Sequence, residues 1–150
     1  MKIKNLITII IYFFSINGES QNSSEIYNRL QKLNVLGSIL YIAAHPDDEN
    51  TRLISYFSNK HHIETTYLSL TRGDGGQNLI GTELTDALGL IRTQELLAAR
   101  KIDGANQIFT TAIDFGYSNN PNETLKTWNK TSVLKQIVKH IRELKPDIII

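Results

Sequence analysis

An apolar run that ends in a histidine and three consecutive acids constrains this chain more than any other stretch. Residues 38–43 (SILYIA) are typical of a buried strand, residues 44–50 (AHPDDEN) follow at once, and residues 51–58 are typical of a helix. Open α/β sheets bind their ligands at the carboxyl ends of their strands. Adjacent carboxylates repel one another, so folding alone gives no reason to place them there, whereas a divalent cation does.

Two apolar strands on either side of a helix predict the fold class. A second strand is predicted at residues 63–70, which are rich in β-branched and aromatic side chains. Strand, helix and strand at this spacing form a βαβ unit, with a parallel sheet and a right-handed connection. We therefore expect an α/β, Rossmann-like three-layer fold with a mostly parallel sheet. Further along, the pattern predicts a helix at 82–103, a strand at 107–115, a loop at 116–122, a helix at 133–144 and a strand from 147.

Composition excludes several classes of protein. The chain has no cysteine, which excludes a disulfide framework, a thiolate zinc site and a cysteine nucleophile. Any metal must therefore be held by His, Asp or Glu. The net charge of +1 and the lack of a basic run give no electrostatic basis for binding nucleic acid.

The amino terminus has the layout of a secretory signal peptide. A basic start, an apolar run at residues 6–16 and small residues before Gln21 predict a signal peptide at residues 1–20. The apolar run is too short for a stable membrane span, which needs about 20 residues. We therefore expect export to the periplasm, the cell surface or the medium.

The remaining residues divide into a lead-in and one domain. Residues 21–36 are predicted to contain a short lead-in helix. Residues 37–150 are predicted to be the amino-terminal portion of a domain that is incomplete at its C-terminus, because the sequence stops within an apolar strand.

A glycine-rich loop and a charged pair are further candidates for the site. Gly73, Gly75 and Gly76 follow the second strand and permit close backbone approach to a ligand, although a merely flexible loop is the alternative. Glu95 falls on a predicted apolar stripe, with Arg92 one turn before it. A buried carboxylate is costly unless it is paired. The pair either orients a loop or lets Glu95 hold Arg92 toward a bound anion or sugar. The stripe comprises Leu84, Leu88, Ile91, Ala98 and Ile102.

His45 and Asp48 are the candidate metal ligands. An imidazole and a carboxylate three residues apart, in a turn that leaves a strand, can bind one cation. A catalytic zinc has three protein ligands, and residues 51–150 offer no convincing third, so we expect it beyond Ile150. Tyr117 or Trp128 could stack on a sugar ring, although such aromatic residues more often pack in the protein.

Residues 44–49 (AHPDDE) resemble the PIG-L/LmbE-like family of zinc-dependent de-N-acetylases, and the secreted bacterial members look closest. The resemblance extends through GDGG at 73–76, GLIRTQE at 89–95 and KPDIII at 145–150. It implies that His45 and Asp48 are zinc ligands and that Asp47 is the general base that takes a proton from the metal-bound water. It also implies that Arg92 contacts substrate, with the third ligand in a later His-rich motif. Glu49 is expected to support the site, by holding His45 or by capping the next helix.

The expected function is a zinc-dependent hydrolase that removes the acetyl group from an N-acetylglucosamine-type sugar. Gly75 and Gly76 would line the substrate, and Glu95 would support Arg92. One alternative is a non-catalytic glycan- or metal-binding module that lacks the last ligand. Another, a magnesium-dependent phosphotransfer domain, explains His45 poorly, because magnesium prefers oxygen ligands.

Overall fold

Four parallel strands form one open sheet in the computed structural model, which describes residues 22–150. The strands are β1 (Ser38–Ala43), β2 (Glu64–Ser69), β3 (Asn106–Phe109) and β4 (Ile148–Ile149). The strand order is β3-β2-β1-β4, and all three neighbouring pairs are parallel. This confirms the predicted α/β class with a parallel sheet. The predicted signal peptide lies outside the described residues.

Five helices connect or precede these strands in the described part of the chain. They are α1 (Ser23–Lys32), α2 (Thr51–Ser55, continued by a π-helical turn at Tyr56–Lys60), α3 (Asp86–Asp103), α4 (Pro121–Thr127) and α5 (Lys130–Leu144). Right-handed connections place α2 and α3 on one face of the sheet and α5 on the other, because the chain steps outward from β1 to β3 and then crosses back to β4. No helix among residues 22–150 is long and apolar enough to cross a membrane.

The hydrophobic core is centred on β2, the strand between β1 and β3. Tyr67 is fully buried and packs edge-on against Tyr41 of β1, with their ring centroids 5.8 Å apart. Ile54 of α2 and Leu96 of α3 cover the same face of the sheet. The core therefore fixes β1 and β2 as a rigid support for the loops that follow them.

The long helix differs from its prediction in its start and in its buried face. α3 begins at Asp86, because Thr85 before it has a positive φ of 54° that ends helical geometry. Of the predicted apolar stripe only Leu88 is buried, and Glu95 is exposed rather than buried. Polar and small side chains face the sheet because the helix packs on the loop after β2, where Arg72 donates to Thr93 over 2.8 Å. The buried residues are Leu88, Gly89, Thr93, Leu96, Arg100 and Asp103.

The third strand is shorter than predicted, and a short helix begins near the end of the loop predicted at residues 116–122. β3 ends at Phe109, and the hydroxyl of Thr110 then donates to the carbonyl of Leu70 over 2.5 Å. Residues 110–115 therefore leave the sheet as a loop. α4 begins at Pro121, and the side chain of Asn120 caps it by accepting from the backbone of Asn122.

The direction of the connections reverses at β1. The strands β2 and β4 lie on either side of β1, and the chain reaches them through helices on opposite faces. Such a reversal leaves a crevice beyond the carboxyl ends of the two adjacent strands. Residues 44–50 follow β1 directly and therefore lie at this crevice.

Candidate metal centre

His45 and Asp48 face each other across a tight turn at the end of β1. The Asp48 Oδ2 atom lies 3.1 Å from His45 Nδ1 and accepts the backbone N–H of His45 over 2.9 Å. Tyr67 of β2 stabilises the turn, because its hydroxyl donates to the carbonyl of His45 over 2.5 Å. Burial raises the pKa of Tyr67 well above its ordinary value, and the negative charge of Glu49 adds to the shift, so Tyr67 stays a hydrogen-bond donor.

The separation of the two side chains fits a shared zinc ion. Ligand distances of about 2.1 Å at a tetrahedral centre put neighbouring donor atoms about 3.4 Å apart, close to the 3.1 Å between His45 Nδ1 and Asp48 Oδ2. Both side chains are partly exposed, so the pair is open to solvent. Among residues 22–150, no group of three His, Cys, Asp or Glu residues could hold a metal ion. The described residues thus contribute two candidate ligands.

Asp114 faces the other ring nitrogen of His45. Its Oδ1 atom lies 3.6 Å from His45 Nε2, and the carboxylate is buried, with 6% of the side chain exposed. The same oxygen accepts the backbone N–H of Gly116, and the backbone N–H of Asp114 donates to Asp74. At 3.6 Å the contact is longer than a hydrogen bond, and a carboxylate this close can orient a ligand imidazole through its charge.

Asp114 was not singled out from the sequence. It was expected inside a strand that ran to residue 115, so its side chain had no predicted place at the sheet edge. The strand ends at Phe109, and the following loop carries Asp114 to the edge where His45 lies. The usable signal is a lone acid a few residues after a strand of the same parallel sheet.

Asp47 pairs with Arg92 of α3. The Asp47 Oδ2 atom lies 3.2 Å from Arg92 Nη2, with 71% of the Asp47 side chain exposed and 22% of the Arg92 side chain. The expected pairing of Arg92 with Glu95 is wrong, because Arg92 turns toward the loop after β1 while Glu95 faces solvent.

Glu49 belongs to a buried charge cluster rather than to the rim of the site. Its Oε1 atom lies 3.3 Å from Arg100 Nη2, which also lies 2.7 Å from Asp103 Oδ2. Burial raises the pKa of Glu49 above its ordinary value, and the charge of Arg100 opposes that shift. The expectation that Glu49 holds His45 or caps α2 is wrong, because its carboxylate turns inward and Asn50 caps the helix by accepting from Leu53.

The glycines of the loop after β2 are explained by contacts within the protein. A Cβ atom on Gly75 would lie 2.4 Å from the carbonyl oxygen of Asp114. A Cβ atom on Gly76 would lie 3.3 Å from Arg92 Nη1. Contact of Gly75 and Gly76 with a substrate stays a prediction.

A cavity of about 320 Å³ opens beside His45. Asp114 and the loop that follows it form one wall, and Trp128 forms part of another. Trp128 donates its indole N–H to the carbonyl of Ile113, and Tyr117 is 87% exposed. The two aromatic residues considered from the sequence therefore share one cavity with the candidate ligand.

The fold and the site together define an α/β protein with a candidate cation site at the switch point of a parallel sheet. A family model described as PIG-L, GlcNAc-PI de-N-acetylase, matches residues 40–150. The match covers most of the chain, so the chain belongs to the PIG-L family. This confirms the family resemblance of residues 44–49. The sequence matches no curated protein.

Solved structures support the same fold. One is the N,N'-diacetylchitobiose deacetylase from Pyrococcus horikoshii, complexed with an inhibitor, at 18% identity and a TM-score of 0.58 over 88% of this chain and 50% of that chain. Another is GalB, the 4-carboxy-2-hydroxymuconate hydratase from Pseudomonas putida, at 21% identity and a TM-score of 0.57 over 76% of this chain and 46% of that chain. The present chain therefore spans about half the length of each.

Proposed function

We propose that this protein is a zinc-dependent hydrolase that removes the acetyl group from an N-acetylglucosamine-type sugar. The observation that carries the proposal is the His45–Asp48 pair, with donor atoms 3.1 Å apart and Asp47 between them in sequence. Membership of the PIG-L family supports amide hydrolysis. Because a deacetylase and a hydratase share the fold, the family and the site residues support the reaction, and the fold alone does not.

Each candidate residue has a separate role in the proposed reaction. His45 and Asp48 would hold the zinc ion, and Asp114 would orient His45 through its second nitrogen. Zinc, when bound, lowers the pKa of a coordinated water to about 7 and polarises a carbonyl oxygen. Asp47 would accept a proton from the attacking water, as a general base exposed to the crevice. The oxygen of the water would bond to the carbonyl carbon, the amide C–N bond would break as its nitrogen takes up a proton, and acetate and a free amine would be released.

The test measures amine release by the full-length protein from N-acetylglucosamine and from N,N'-diacetylchitobiose. We expect turnover that a chelator abolishes and added zinc restores. Asp47→Asn should lower kcat by about 100-fold or more, because a general base contributes on that scale. Lys101→Ala, which removes an exposed charge from α3, serves as the matched control.

Two results would contradict this proposal. Turnover that survives both the chelator and Asp47→Asn would exclude the roles of the metal and of the base. Zinc or sugar binding without any release of amine would instead favour the non-catalytic binding module.

We also propose that the protein is exported through the signal peptide predicted at residues 1–20. The expected mature protein begins at Gln21. Amino-terminal sequencing of protein recovered outside the cytoplasm tests this, and an intact Met1 in that fraction would contradict cleavage.

A further inference from the structure

We propose that Arg92 is a positioning residue for Asp47. Gly73 and Gly76 form the seat of Arg92, by which we mean the backbone surface against which its side chain lies. The proposal rests on the proposed role of Asp47 as the general base. It gives Arg92 a different task from the substrate contact that the family resemblance implies. It also gives the glycines of the loop after β2 a task in the same reaction.

The first observation is the direction in which Arg92 extends. The Arg92 side chain extends from α3 across the loop after β2, and its Nη2 atom lies 3.2 Å from Asp47 Oδ2. Asp47 is mostly exposed, and Arg92 is the cation paired with it among the described residues. The carboxylate therefore has one charged contact that selects its orientation.

The second observation is how closely the loop after β2 fits around Arg92. A Cβ atom on Gly73 would lie 2.9 Å from both Cδ and Nε of Arg92 and 3.2 Å from Cδ of Pro46. Gly73 also has a positive φ of 70°, which favours glycine. A Cβ atom on Gly76 would lie 3.3 Å from Arg92 Nη1. Side chains at these two positions would push the guanidinium off its path to Asp47.

The third observation is that the Arg92 side chain is mostly buried, with 22% of it exposed. The Nε atom of Arg92 is buried without a hydrogen-bond partner, and only Nη2 reaches Asp47. A guanidinium that is already held in place loses little conformational entropy when it orients a carboxylate. Orientation matters to catalysis because a base displaced by about 1 Å can lose about 100-fold in rate.

The kinetic test separates positioning of the base from binding of the substrate. In the zinc-loaded full-length protein, Arg92→Ala should lower kcat by about 10- to 100-fold, with KM for N,N'-diacetylchitobiose changed by less than about twofold. In an Asp47→Asn background, the same substitution should have little further effect on kcat, because residues that act as a unit are not additive. Lys101→Ala removes an exposed charge from the same helix and is the control.

Two kinetic outcomes would overturn the proposal. One is a rise in KM with kcat unchanged, which is the result for a residue that binds substrate uniformly. The other is an equal loss of kcat from Arg92→Ala in the wild-type and Asp47→Asn backgrounds.

The seat has its own test in Gly76→Ala. Gly76 has no positive φ, so the added methyl group acts mainly through its contacts with Arg92 and with the carbonyl of Gly73. We expect a smaller loss of kcat than in Arg92→Ala, again with KM unchanged. Gly37→Ala is the matched control, because its Cβ atom would meet only Ile63, at 3.9 Å. Equal kinetics of Gly76→Ala and Gly37→Ala would contradict the seat.

A structural comparison decides the proposal without any turnover. Crystal structures of the wild type and of Arg92→Ala, both free of substrate, should show Asp47 in one orientation in the wild type and in a different or mixed orientation in the variant. An unchanged Asp47 in the variant overturns the positioning role. If no N-acetylated sugar is hydrolysed, the proposed function fails, and this comparison still tests the contact.

Discussion

Asp114 lies beside His45 at the carboxyl edge of the sheet, in the loop that follows β3. Its carboxylate is buried, accepts from the backbone of Gly116 and lies 3.6 Å from His45 Nε2. Asp114 can therefore hold the His45 ring in the orientation that turns Nδ1 toward Asp48. Partners of this kind fix the orientation of a ligand histidine and raise its basicity.

Asp114→Asn should weaken zinc binding by about 10-fold or more, because loss of such a partner changes metal affinity by 10- to 100-fold. The measurement is competition with a chromophoric chelator. Glu64→Gln, at the exposed start of β2, is the control for loss of one negative charge. Equal zinc affinity in Asp114→Asn and Glu64→Gln would contradict the role of Asp114.

At the scale of single elements, the prediction from sequence succeeded where the pattern was apolar and continuous. The strand at Ser38–Ala43 and the helix at Lys130–Leu144 follow directly from burial and from a 3.6-residue period. It failed on α3, whose buried face contains Arg100 and Asp103 in place of apolar side chains. Periodicity cannot show that a charged pair is buried, since that depends on a partner distant in sequence.

The buried charge cluster beneath the loop after β1 depends on such a partner distant in sequence. Arg100 lies between Glu49 and Asp103, and at least 90% of each of the three side chains is buried. It also lies over the ring of Tyr67, 5.4 Å from its centroid. The cluster thus ties the loop after β1 to the last turn of α3.

Arg100→Met should lower the free energy of unfolding by about 3–5 kcal/mol, because it leaves two buried carboxylates without their cation. Urea unfolding in the presence of chelator measures this. Lys101→Met, at the next and exposed position, should change the free energy by no more than about 0.5 kcal/mol. Similar unfolding of the two variants would show that the cluster does not hold the loop.

Glu49 gives the cluster a dependence on pH. Its folded pKa lies above the ordinary value of 4.5, so its contribution to stability is fully present below that value and is lost as pH rises through the folded pKa. The side chain in Glu49→Gln does not ionise, so this variant does not lose that contribution as the pH rises. The wild type should therefore lose stability relative to Glu49→Gln between about pH 4.5 and pH 7. Urea unfolding of both proteins at the two pH values checks this, and a difference independent of pH would contradict it.

At the scale of the whole molecule, the order of the strands brings the site together. The reversal at β1 leaves the crevice where residues 44–50 lie, and the loops after β2 and β3 reach the same edge. The sequence allowed the sheet and the His45–Asp48 pair to be predicted. The position of Asp114 beside His45 and the contact of Arg92 with Asp47 could not be predicted, because they depend on where β3 ends and on the path of the Arg92 side chain over Gly73.

A site built from several loops predicts that zinc stabilises the folded protein as a whole. A ligand that binds only the folded state at about 100 times its Kd adds about 2.7 kcal/mol, which raises Tm by several degrees, about 5–10 °C. We expect such a rise when zinc is added to the full-length, chelator-treated protein. His45→Ala should abolish it, because the pair that would hold the ion is lost. His61→Ala, which removes an exposed imidazole packed on Tyr56, should keep it. An equal rise in all three proteins would show that zinc binds elsewhere, and no rise in the wild type would contradict a zinc site at this edge of the sheet.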